Sequence, residues 1–362
     1  MNQGAFGLSD EQFWEDSTSF EEALVERFLE ADFMGLLLDG PRSVLLNEHE
    51  TIPLLGVRAS TIRDDFALSL QRRAVIVATR LEGHETLAET AFRQPDERRP
   101  PARPRDPATL PEGRTADAFS LSLTTRLPEL PWRPGTWQTT LLLYDYRSNP
   151  VITRLEGSSS QDPAVQEFLA AQRRPGFPPP IAPSFNPTSP TSPANPYRPR
   201  PDSPAPPVGP AISLAIDRVV IAGSGRSCVL RGSFCLPVLP RDVVRPLPGP
   251  PGSAAEQLGR ADGWGEVGDP LAMAVVPISI LLTGDQRAEP ILVSMQVPIY
   301  GPLELQPDGH VARGHFAIDL LGHVAGALAI QSYAVWAISR GIISDPVRVG
   351  VVSEKMLPAA GD

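Results

Sequence analysis

A mainly β fold, built from two tandem antiparallel β-sandwich domains, is what the sequence predicts, and three observations predict it. Short runs rich in Val, Ile, Leu, Thr and aromatic residues recur from Thr51 onwards, each bounded by Gly, Pro or Asp. Beyond residue 210 such runs follow one another without a helical period between them, the pattern of a sandwich rather than an α/β fold. The third observation is proline: 42 residues of 362, concentrated in a few stretches, one of which separates two strand-rich regions.

Taken in order, residues 1–50 read as an acidic helical segment. Ser9–Phe33 is amphipathic, with Phe13, Phe20, Leu24 and Phe28 mostly at four-residue steps and Glu11, Glu15, Glu22, Glu26 and Glu30 elsewhere on its surface. Ser9-Asp-Glu-Gln12 fits a capping box at its start. Residues 51–157 form the first sandwich, with strands over Pro53–Ser60, Arg73–Leu81, Ala118–Leu127 and Thr136–Tyr146. Asp162-Pro163 opens a short helix through Arg173 within 158–174.

Residues 175–210 hold fifteen prolines, and Pro187, Pro190, Pro193, Pro196 and Pro199 recur at every third position. That is the polyproline II period, which predicts a semi-rigid linker that does not pack as core. The second sandwich occupies 211–353, with strands over Ala211–Ile221, Cys228–Leu239, Ala272–Thr283, Pro290–Tyr300, His315–Leu321, Ser332–Ser339 and Val347–Val352; a tail, 354–362, follows. The apolar stretch Leu320–Ser339 reads as two core strands joined by a Gly/Ala-rich connection, since Tyr333–Ile338 alternates large and small residues.

An internal duplication supports the two-domain reading. Aligning Ser148-Asn149-Pro150-Val151 with Ser344-Asp345-Pro346-Val347 sets Trp137 opposite Tyr333, and Phe119 opposite Phe316 with one residue of offset. Each half then shows an extended segment opened by Phe, a strand opened by a large aromatic, a Ser-Asx-Pro corner and a final strand. This pattern resembles the last three strands of an immunoglobulin-like or fibronectin type III-like module, and Tyr333 sits where such modules place a corner tyrosine. The resemblance implies a fold and no activity.

Chemistry is sparse. A formal charge of −10 disfavours phosphate backbones and anionic lipid, so neither nucleic acid nor membrane is expected as a partner. Most of that charge lies in residues 1–60, where twelve Asp/Glu face only Arg27, Arg42 and Arg58. The start of the chain lacks the basic and apolar regions of a secretory signal, which points to the cytoplasm. Cys228 and Cys235, on one strand, would stand ~23 Å apart and read as free thiols.

His310, His315 and His323 form the densest histidine cluster and are the candidate metal ligands, although their spacing matches no local ligand pair. Gly223-Ser-Gly225 lacks the third glycine and helix of a dinucleotide loop and reads as a turn. Trp132 and Trp264, in turn-like contexts, are candidate platforms for stacking a sugar or other small ligand. No catalytic residue and no cofactor are nominated. The leading expectation is a non-enzymatic binding, adaptor or structural assembly protein whose partner is another protein or a copy of itself. Phe13, Phe20, Leu24, Phe28, Pro187, Pro190, Pro193 and Pro196 are its expected partner-binding residues. The alternatives are a metal-dependent enzyme or accessory protein using His310–His323, and a carbohydrate or small-ligand binder using the loop tryptophans.

Overall fold

A computed structural model describes residues 5–92, 112–127, 134–157, 202–239, 242, 274–299 and 304–353, apart from isolated interior positions and short interior gaps. The chain divides into two compact units, Met1–Gly176 with Thr283–Pro290, and Phe177–Leu282 with Ile291–Asp362. Both halves are mainly β. Among the described residues no helix is long and apolar enough to cross a membrane.

In the first half, strands β1 (Gly35–Asp39), β3 (Pro53–Thr61) and β6 (Arg114–Ser122) form one antiparallel sheet in the order β1-β3-β6. The second sheet takes β2 (Ser43–Leu45), β4 (Ala74–Arg80), β5 (Thr86–Thr90), β7 (Gly135–Leu143) and β9 (Val151–Glu156) in the order β2-β9-β7-β4-β5, with β8 (Tyr146–Arg147) paired to β7. The pairing of β2 with β9 is parallel. Alternation along each strand sends Leu38, Leu54, Phe119 and Leu121 from one sheet and Ile76, Trp137, Leu141 and Val151 from the other into a single buried cluster.

In the second half, β10 (Ala211–Ala215), β12 (Val229–Val238), β15 (Glu304–Gln306) and β16 (Gly309–Asp319) form a sheet ordered β10-β12-β16-β15. β11 (Val219–Ala222), β13 (Ala274–Gly284), β14 (Ile291–Ile299), β17 (Ser332–Ser339) and β19 (Val347–Ser353) form the other, ordered β11-β19-β17-β13-β14, with β18 (Ile342–Ile343) paired to β17. Here too the pairing of the second of these strands, β11, with the last, β19, is parallel. Leu230, Phe234, Phe316, Ile278, Ile280, Tyr333 and Val349 meet in one core drawn from both sheets.

Apart from β15, which has no counterpart among the described strands of the first half, the two halves repeat one strand arrangement, and in the final arm they match residue for residue. Ser148 accepts from the Leu141 amide through Oγ at 3.0 Å, and Ser344 does the same for Ala337 at 2.9 Å. The backbone of each serine also donates to the carbonyl of that same residue. Tyr144 and Arg340, at the hairpin tips between them, are the two non-glycine residues of positive φ among the described residues, 54° and 48°. Earlier in each half a glycine faces a phenylalanine across the ladder: Gly56 opposite Phe119, and Gly232 opposite Phe316. One turn of pairing further on, the second half sets Phe234 opposite Gly314, whereas the first half carries Arg58 opposite Asp117.

Several expectations are corrected. The single helix Ser9–Phe33 is instead a 3₁₀ turn, Glu11–Trp14, and a helix α1, Thr18–Glu30, because the chain turns extended at Glu15 (ψ 170°). Half of the capping box forms on the 3₁₀ turn, where the Ser9 amide donates to Gln12 Oε1 at 2.8 Å. The expected strand Ala118–Leu127 starts at Arg114 and stops at Ser122, whose Oγ accepts from the Thr125 amide and caps the helical turn Leu123–Arg126. Ala211–Ile221 is two strands on different sheets, β10 and β11, since alternation specifies which face is buried and leaves the partner open.

Among its described residues the stretch Leu320–Ser339 contains one strand, not two. It begins with a helical turn, Leu320–Val324, because the ladder of β16 ends at Asp319 and the Leu320 amide turns to the Cys228 carbonyl. The expected helix after Asp162, most of the polyproline segment and the tail 354–362 lie outside the described residues.

Candidate functional site

Helix α1 packs on the outer face of the β1-β3-β6 sheet. Phe13, Leu24 and Phe28 are buried there with Phe6, Leu55 and Val57, so their destination is the chain's own first half and they are not an exposed partner surface. Burying each large side chain is worth roughly 1.5–3 kcal/mol, which an unpaired sheet face supplies without any partner. Polar ties reinforce the packing. Arg114 of β6 donates to the carbonyls of Phe33 (2.6 Å) and Leu29 (3.4 Å), receiving the C-terminal end of α1. Asp10 accepts from the amides of Arg42 and Ser43. The side chain of Phe20, together with Pro187, Pro190, Pro193, Pro196, Trp132 and Trp264, lies outside the described residues.

The histidines do not converge. His310 and His315 lie on one strand, five residues or ~16 Å apart and on opposite faces. His323 is exposed on the following helical turn. Among the described residues no three His, Cys, Asp or Glu side chains form a group that could hold a metal ion. His315 stands across the ladder from Ser233, with Nδ1 buried and without a hydrogen-bond partner among the described residues.

Burial holds the His315 pKa below its ordinary 6.5. The unfolded chain therefore takes up the proton first, and stability that is full above pH 6.5 is lost as the pH falls below it. The thermal midpoint is expected to drop between pH 7 and pH 5, and His315→Gln to lessen that drop. Equal slopes in calorimetry of the two proteins would refute this.

Both cysteines are free and buried. Burial, aided by Asp217 and Asp319, pushes the Cys228 thiol up to about 11, and burial also raises Cys235, so neither is an activated nucleophile.

Charge enters the first half at Arg58, buried on the inner face of β3. Its Nη1 lies 2.6 Å from Asp65 Oδ1 and its Nη2 donates to the Asp64 carbonyl at 3.2 Å. Burial and the nearby Asp65 push the Asp117 carboxyl up, against the opposing pull of Arg58. A concavity of about 550 Å³ lies at the ends of β4, β7 and β9, lined by Arg80, Glu82, Thr136, Arg154 and Glu156 among others. Its polar groups already serve the fold. Arg80 donates to the Pro134 carbonyl, Glu82 receives the Thr136 amide at 2.9 and 3.0 Å, and Arg154 pairs with Glu156. Burial raises the Glu82 pKa, but the Thr136 hydrogen bonds outweigh it and leave the carboxyl below its usual range.

The most elaborated surface is the outer face of the β10-β12-β16-β15 sheet. Residues Asp202–Gly209, the end of the proline-rich segment, run across it outside any helix or strand; none of them is buried or part of the core cluster. Ser233 Oγ donates to the Ala205 carbonyl at 2.9 Å. Arg313 donates from Nη1 to the Pro207 carbonyl at 2.6 Å and from Nη2 to the Val208 carbonyl at 3.0 Å, while its Nε donates to Glu304 at 2.9 Å. Arg231 lies 2.8 Å from Asp202 and 3.8 Å from Asp217. Sequence reasoning missed this face because its donors sit on two strands far apart in the chain. The available signal was a basic or hydroxyl residue at outward positions of strands whose inward positions are apolar. Comparison of the chain with protein-family models and with curated proteins finds no match.

Proposed function

We propose that the chain is a non-enzymatic binding or assembly protein built from two immunoglobulin-like β-sandwich modules, working in the cytoplasm with another protein or with copies of itself. The observation that carries the reading is the repetition of one strand arrangement in both halves, down to the serine-anchored final arm. Repeated sandwiches of this kind serve as scaffolds that offer faces and loops to partners.

Sheet order supports the immunoglobulin comparison. The first, third and sixth strands of the first half share one sheet, as do the first, third and seventh of the second half with β15 added at its edge, and in each a short second strand leaves that sheet to pair in parallel with the last. In the second half Tyr333, buried at the start of β17, receives the Ala329 amide at 2.8 Å on its hydroxyl, the backward reach of a corner tyrosine. The chain departs from antibody domains in its cysteines, which are free, and in β4 and β13, which carry no tryptophan.

Purified full-length protein tests the reading by light scattering after size exclusion, joined to affinity capture and reconstitution from purified components. The expected result is a saturable complex with a protein partner or a defined self-assembly. A chain that stays monomeric, reconstitutes with no captured protein and turns over a small molecule would overturn it.

A further inference from the structure

We propose that the outer face of the β10-β12-β16-β15 sheet is a receptor for an extended, proline-containing peptide of a partner protein, and that Asp202–Gly209 is its resident intramolecular ligand. The inference deepens the binding-module reading and rests on it.

The two halves make the argument by contrast. Register through the Gly–Phe pairs sets Leu55, Val57, Ala116 and Ala118 of the first half against Arg231, Ser233, Arg313 and His315 of the second. Leu55, Val57 and Ala118 pack under the apolar side of α1. At the corresponding outward positions the second half carries hydrogen-bond donors, and what lies over them is not a helix but a run of prolines. Apolar cover has been exchanged for polar grip.

The grip suits proline chemistry. Pro204, Pro206 and Pro207 have no N–H, so this run cannot build a strand ladder, and a polyproline II chain leaves its carbonyls without internal partners. What such a peptide offers is carbonyl oxygen, and what this face offers is donors directed at carbonyl oxygen. The Arg313 fork takes two consecutive carbonyls and is held in position by Glu304, a positioning residue. Ser233, fully buried, takes a third. Arg231 facing Asp202 fixes the direction in which the peptide lies. Val208 is 88% exposed, so the contact reads backbone, proline spacing and one acid rather than a particular apolar side chain. A ligand tethered beside its site acts at an effective concentration in the mM range, so the resident segment masks the face against free competitors.

The test uses the full-length chain with Ser203–Val208 replaced by a Gly/Ser run of equal length, and a fluorescent synthetic peptide of the Asp202–Gly209 sequence. Saturable binding is expected, at least tenfold tighter than to the unmodified chain, and weakened at least tenfold by Arg313→Ala in the replaced background. A folded replaced chain that shows no saturable binding overturns the proposal, as does binding indifferent to Arg313→Ala.

A second readout works in the unmodified background, whatever the replaced chain does. Cys235, wholly buried, lies on the same ladder between Ala211 and Arg313. Arg313→Ala is expected to raise its maleimide labelling rate at least tenfold, Arg313→Lys less, with Cys228 unchanged. An unaltered Cys235 rate overturns the proposal. Loss of peptide binding while self-association or a reconstituted partner complex persists would remove this surface and leave the broader reading intact.

Discussion

Asp242→Ala is expected to remove about 3–5 kcal/mol of unfolding free energy, because it leaves the Arg340 guanidinium charged and buried without its counterion. The pair is buried on both sides. Asp242 also receives the Leu239 amide at 2.6 Å, and Arg340 Nη1 donates to the Pro237 carbonyl at 2.8 Å. Arg340 thereby ties the hairpin tip between β17 and β18 to the chain leaving β12. Lysine does not replace it, since one ammonium cannot reproduce a planar fork aimed at a carboxylate and a carbonyl together. Chemical denaturation of the full chain measures the loss. The double variant Asp242→Leu/Arg340→Met is expected to recover most of it, as buried pairs replaced by apolar residues often do. A single variant that loses less than about 1 kcal/mol would show that water reaches the pair.

The next largest effect is expected from Gly232→Ala. A Cβ there would stand 2.1 Å from Cζ of Phe316, a ring that is itself buried and stacked at 6.5 Å on Phe234. Phe234 in turn lies over Gly314, so the two rings and two glycines lock diagonally across the β12–β16 ladder. Both rings are buried, and overpacking of this kind costs about 1–3 kcal/mol. Gly56→Ala meets Phe119 at the same 2.1 Å, but that ring lies nearer the surface, against the edge of Phe92, and a smaller loss is expected. A double-mutant cycle with Phe316→Leu checks the cause. The glycine substitution should cost markedly less in the leucine background, and equal costs would point to backbone entropy in place of ring contact.

Much of the strand content was legible because buried strands announce themselves by β-branched density. Ser332–Ser339 is β17 to the residue, and Pro290–Tyr300 and Cys228–Leu239 enclose β14 and β12. Legibility failed where a strand is short or changes sheets. Ser43–Leu45 and Val219–Ala222 owe their place to parallel partners at the far end of their half, and no local pattern carries that information. The alignment of Phe119 with Phe316 was visible, while the glycine beneath each ring was not, because the glycine lies on another strand. As for the candidate face, Arg231 and Arg313 lie far apart in the chain, and only the β12–β16 ladder sets their strands side by side.

The parallel pairing of β2 with β9, and of β11 with β19, also bears on how each half responds to load. In a parallel pair the chain enters one strand and leaves the other at opposite ends, so tension applied across a half pulls the two strands along each other. Bonds loaded in that direction must rupture together, whereas an antiparallel hairpin pulled at its open end unzips one bond at a time. Ser43–Leu45 against Arg154–Glu156, and Val219–Ala222 against Gly350–Ser353, are therefore the ladders that tension along the chain would load in shear. Each of these ladders is short, three and four residue pairs, so few bonds would share such a load.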